Sequence, residues 1–125
     1  MRTQVRAGSR TEAGVALRFT APQRDAILSV AELMRSLSIG AAEFETQVGG
    51  SREDIERIES RLRQSADDAE IDLTMTEVHL IHAALMASHN QFAGEEDFYV
   101  RIGFFRENIA GLARGIVRAV GQLST

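Results

Sequence analysis

The sequence has no cysteine, no lysine and no tryptophan, and its only proline is Pro22. Each absence removes a class of chemistry. Without cysteine there is no disulfide, no thiolate nucleophile and no cysteine-ligated zinc. Without lysine there is no Schiff-base chemistry and no phosphate-loop lysine. All 14 basic residues are therefore arginine, which points to GC-rich coding of the bacterial kind and not to any activity. No apolar run reaches the roughly 18 residues of a membrane span, so none is expected. The first ten residues, through Arg10, lack an apolar core. No secretory signal is expected, and the location defaults to the cytoplasm. No nucleophile elbow, phosphate loop or dinucleotide fingerprint is present, so neither enzyme activity nor a cofactor is expected.

What is present suits one domain. A chain of 125 residues, 44% apolar, can bury a sizeable core. The net charge of −4 argues against nucleic acid or an anionic membrane as partner.

The chain also says nearly the same thing twice. Residues 44–55 run from Phe44 through Val48, Gly49, Arg52 and Glu53 to Ile55. Residues 98–109 run from Phe98 through Ile102, Gly103, Arg106 and Glu107 to Ile109. At this offset of 54, without a gap, Thr20 matches Thr74, Ile27 matches Ile81 and Gly40 matches Gly94. The pattern predicts a tandem duplication, arranged as a pseudo-two-fold pair because two units are too few for a solenoid.

In chain order, residues 1–13 are polar, carry Arg2, Arg6 and Arg10, and read as a flexible arm. Unit one spans 14–64, an acidic linker 65–70, and unit two 71–120. Val15, Leu17 and Phe19 alternate as a short strand, and Ile71, Leu73 and Met75 repeat it; the two could pair as a ribbon. Thr20 and Thr74 stand as N-caps, and Pro22 suits a first helical turn. Gly40 and Gly94 read as turn or C-cap glycines. Short helices over 41–48 and 95–102 end at Gly49 and Gly103. Ser51, with Asp54 three residues on, caps a third helix laced by Glu53–Arg57 and Glu59–Arg63, a solvated face. The last helix is apolar on more than one side and carries Gly111 and Gly115, where another helix could approach closely.

Four constellations could carry function. The stretch 44–62 follows the spacing of a helix-turn-helix. Its would-be recognition helix carries Glu53, Asp54, Glu56 and Glu59, which would face phosphate, so packing is the better reading. His79, His82 and His89 share one helix but lack the companions of a metal site, so no metal is assigned. Glu95, Glu96 and Asp97 suit a helix N-terminus through its dipole and could also meet a basic partner. Arg106, like Arg52, follows a glycine turn and can tie carbonyls there. Phe104 and Phe105 replace Gly50 and Ser51 of unit one. With Glu95, Glu96, Asp97 and Arg106 they are the candidate partner-binding residues.

Residues 73–103, from Leu73-Thr-Met-Thr through Ala84-Leu85-Met86 to Phe98-Tyr-Val-Arg-Ile-Gly103, resemble a class of small uncharacterised bacterial proteins. Those pair an Ala-Leu-Asn-Glu helix with a Phe-x-x-Arg-Ile/Leu-Gly turn. Here Met86 and Ala87 stand where that pattern has Asn and Glu. The resemblance implies fold and no activity.

The fold expected is mainly α: two strand-helix-helix-helix units about a pseudo-two-fold axis, with a two-stranded ribbon. The function expected is non-enzymatic binding of another protein, as in an immunity or inhibitor protein, with a homodimer as one form of partner. A helix-turn-helix DNA regulator and a small-ligand or metal binder are the alternatives.

Overall fold

Capping boxes fix where three of the six described helices begin. A computed structural model describes residues 1–123. Helix α1 (Ala21–Arg35) starts after Thr20, whose hydroxyl accepts from the Gln23 N–H while the Gln23 side chain accepts from the Thr20 N–H. Helix α4 (Met75–Ser88) repeats the same box with Thr74 and Glu77. Helix α3 (Arg52–Gln64) uses Ser51 and Asp54. Bonds from the Ser51 N–H and hydroxyl hold the Asp54 carboxyl below its usual range. Each box satisfies amide groups that a helix start leaves unpaired.

The short helices α2 (Ala41–Val48) and α5 (Glu95–Ile102) end at Gly49 and Gly103, at φ 87° and 88°. That left-handed conformation is why glycine stands at both places. Gly40 and Gly94, expected as turn or C-cap glycines, lie in the connections after the longer helices and serve as N-caps of the short ones, without a side-chain bond. The final helix is α6 (Arg106–Leu123).

Three strands form one antiparallel sheet in the order β1 (Arg6–Arg10), β2 (Gly14–Arg18), β3 (Glu70–Thr74). The expected ribbon is β2 with β3. Leu17 lies opposite Ile71, Gly14 opposite Thr74 and Arg18 opposite Glu70. Strand β1 is the departure from expectation, since residues 1–13 do not form a free arm. Val5 is buried, and the buried carboxamide of Gln23 donates to the carbonyls of Arg2 and Gln4, both at 2.9 Å. A side chain from α1 thus pins backbone that carries almost no apolar signal of its own.

The expected linker 65–70 is also tied down, and Glu70 already belongs to β3. Arg24 donates to the Ser65 carbonyl at 2.9 Å and pairs with Asp67 at 2.6 Å.

One core joins the two halves. Its largest fully buried side chains include Phe44, Phe98, Leu17, Met34, Leu85 and Ile109. Helix α1 packs on α4, α3 on α1 and α6 on α4. The short helices cross over, with α2 against α4 and α5 against α1. Three polar side chains, Gln23, Glu59 and Ser88, are buried with it. Glu59, expected on a solvated face, is 1% exposed and meets Arg35 at 2.5 and 3.2 Å. Arg35 comes from α1, so no spacing within α3 could show the pair.

Candidate interaction surface

Helix α5 turns two residues inward. Phe98 and Ile102 are buried, so at helical spacing Tyr99 and Val100 must face out. Gly103 then breaks the chain, and Phe104 and Phe105 follow before α6. Phe104 is half-buried and packs on the core. Phe105 is 51% exposed and stacks on Tyr99, which is 45% exposed, with ring centroids 4.6 Å apart and planes 27° from parallel. Val100 beside them is 76% exposed. Two stacked aromatics left in water are unusual, because each could shed a large apolar area by burial.

Carboxylates rim this patch. Glu96 and Asp97 are exposed in the first turn of α5, where the helix dipole favours negative charge. Glu95 is engaged differently. It accepts from the Arg106 N–H at 2.8 Å and pairs with the Arg106 side chain at 3.2 Å. Arg106 also donates from Nε to the His89 carbonyl at 3.0 Å and from Nη2 to the Phe92 carbonyl. It lies over the Phe98 ring at 5.2 Å.

Arg52 does the same work at the start of α3. It donates to the carbonyls of Arg35, Leu37 and Ile39 and lies over Phe44 at 4.7 Å. Of the six sequence candidates, then, Phe105, Glu96 and Asp97 face outward. Phe104 is half-covered, and Glu95 and Arg106 hold each other in a structural tie.

Sequence reading missed Tyr99 and Val100. A signal existed: 54 positions earlier stand Glu45 and Thr46. The outer face of α2 is polar where that of α5 is apolar.

A second apolar feature lies between α4 and α6. It is a groove of about 240 Å³ lined by Met75, Val78, His79, His82, Val117 and Val120. Met75 and Val117 are 47% and 57% exposed. His89 is not part of it. That ring turns inward, with Nδ1 3.2 Å from the Leu85 carbonyl and its centroid 6.0 Å from that of Phe98. The three histidines therefore do not converge, and among the described residues no three His, Asp or Glu side chains gather as metal ligands would. Among the described residues no helix is long and apolar enough to cross a membrane.

No protein-family model matches this chain, and no curated protein or solved structure gives a significant match.

Proposed function

We propose that this protein acts by binding another protein, and that the docking surface is the outer side of α5 with the start of α6. The observation that carries this reading is the solvent-exposed stack of Tyr99 on Phe105. Aromatic anchors dominate the energetics of protein interfaces, and a rim of charge sets partner choice and encounter rate. Glu96, Asp97 and the net charge of −4 suit a basic partner, as an immunity or inhibitor protein facing a basic toxin would need. A DNA-binding role is less well supported, because α3 presents Glu53 and Glu56 where a recognition helix would meet phosphate.

The architecture belongs to the same reading. We propose that the two halves arose by tandem duplication and pack about a pseudo-two-fold axis. The matched capping boxes at Thr20 and Thr74 support this. So do the left-handed glycines 49 and 103, and the arginines 52 and 106, each of which binds carbonyls and lies over a phenylalanine ring. In the β2–β3 ladder, Leu17 lies opposite Ile71, its own counterpart at the offset of 54, which is where such an axis would pass.

The test compares tagged wild type with the Tyr99→Ala/Phe105→Ala chain in pull-downs from the native host, with nuclease treatment. The expected result is one stoichiometric protein on wild type, surviving nuclease and lost from the variant. The melting temperature should barely move, because both rings are exposed. Loss of two anchors should weaken binding by about 2 kcal/mol or more. Retention of the same partner by the variant would move the site elsewhere. Recovery of mainly nucleic acid would replace the reading with the regulator.

A further inference from the structure

The outer sides of the β2–β3 pair are finished differently. On β2 the outer edge is covered by β1. On β3 the outer edge carries no strand among the described residues. In its place Arg61 reaches over from α3, donating from Nη2 to the Asp72 carbonyl and pairing through Nη1 with Glu77 at 2.5 Å. Asp72 lies opposite Ala16 in the ladder. In an antiparallel strand the N–H and C=O of one residue point to the same side, so the Asp72 N–H faces outward with its carbonyl.

The position of Arg61 is instructive. Counted 54 residues on, it falls on Gly115 of α6. There a Cβ would collide with the Thr3 carbonyl, because the segment leading into β1 passes over that spot. One helix position is thus a plug beside an open edge and a hollow beside an occupied edge. The edges correspond in this way only if the halves are duplicates, as proposed above; the outward geometry of Asp72 holds either way.

We propose that the outer edge of β3 accepts an extended, basic segment of a partner protein as a fourth strand, with Arg61 swinging aside to admit it. Strand addition takes its affinity from main-chain bonds and its specificity from alternate side chains. The side chains here are acidic. Asp72 projects to the exposed face of β3 and Glu77 stands at its end, while Glu70 on the same face is already paired with Arg18 at 3.8 Å. Once Arg61 leaves, Glu77 and the Asp72 carbonyl need a new cation, which an arginine or lysine of the incoming strand supplies.

Strand β1 shows the kind of segment that fits such an edge: it is short and begins and ends in arginine, Arg6 and Arg10. A second copy of the chain fits poorly. Two antiparallel β3 strands centred on Asp72 would set one Asp72 opposite the other, and directly opposed like charges destabilise a pair. Proteins commonly guard open edges with a charged side chain. Arg61 is such a guard, yet its side chain is 39% exposed and grips the strand through one carbonyl, so a partner bringing its own cation can displace it.

The test titrates the isotope-labelled full chain with a synthetic peptide of residues 5–11, Val-Arg-Ala-Gly-Ser-Arg-Thr, followed by amide NMR. A control peptide carries Glu in place of both arginines. The expected result is a saturable shift at Glu70, Ile71 and Asp72 with the basic peptide alone. Arg61→Ala should tighten binding about tenfold by removing the plug, and Asp72→Lys should weaken it by a similar factor. The Tyr99→Ala/Phe105→Ala chain should bind the peptide as wild type does, so the edge and the aromatic surface stand or fall separately.

No saturable shift at β3 in either wild type or Arg61→Ala would overturn the proposal. So would shifts confined to β2 and α6, which mean the peptide only displaces β1. Self-association with shifts at β3 would overturn it too, by naming a second copy as the occupant.

Discussion

Glu59 illustrates how a single residue escapes sequence logic. Its spacing to Arg63 reads as a surface pair, and Arg63 does stand 3.9 Å away. The carboxylate is nonetheless buried, and its main partner, Arg35, lies 24 positions earlier on another helix. A buried charge that loses its nearest counter-ion costs more than the pair contributes. Arg35→Ala should therefore destabilise by about 3 kcal/mol, read by urea denaturation. Glu59→Ala should cost less, because Arg35 is 27% exposed and keeps Glu56 at 3.7 Å. Equal losses from the two variants would show that the burial of Glu59 is not what sets the cost. The arginines of the glycine turns were legible by contrast. Arg52 and Arg106 follow their glycines by three residues, and a fork at that place has few partners besides the exposed carbonyls at and just past the ends of α1 and α4. Tyr99 was missed for the opposite reason. Nothing local distinguishes a core tyrosine from an exposed one until the inward side of α5 is known.

At the scale of the element, α6 shows a pattern read correctly and filled differently. Gly111 and Gly115 announce a close approach, and a helix is the usual visitor. The visitor is extended backbone. A Cβ at Gly111 would sit 2.5 Å from the Thr3 methyl, and one at Gly115 would strike the Thr3 carbonyl. Gly115→Ala tests this, because its two effects oppose each other. Helix propensity alone favours alanine by about 1 kcal/mol. The collision with backbone should outweigh that, with a net loss of about 1–2 kcal/mol. Hydrogen exchange should rise through residues 2–10 and stay unchanged in α4. A stabilised variant would mean that the segment does not seat there. The segment was invisible in sequence because Val5 is its only fully buried residue and Gln23, which holds it, belongs to another element.

For the whole molecule, the order and bounds of most elements were readable, since capping boxes and helical spacing are local. Which helix covers which was not. Periodicity says that α2 and α5 each have an apolar side, not that each spends it on the other half. That crossing makes the halves interdependent. Fragments 1–66 and 67–125 should each be largely unfolded alone by circular dichroism and should regain helix when mixed. Cooperative melting of either fragment alone would contradict the crossed packing of α2 on α4 and α5 on α1. The third strand also lay beyond reach, because Arg-Ala-Gly-Ser-Arg has neither alternation nor β-branched residues to announce it.

The seat of Thr3 on α6 has a consequence in time. Thr3 and Gly115 lie more than a hundred residues apart, so during synthesis the beginning of the chain leaves the ribosome well before its resting place exists. At ordinary translation speeds that interval is on the order of ten seconds. The β1–β2 hairpin can close locally within microseconds. It must then wait, open on the side that α6 will cover and unpaired on the side that β3 will join. The arginines at both of its ends keep it charged, which guards it from other nascent chains during the wait.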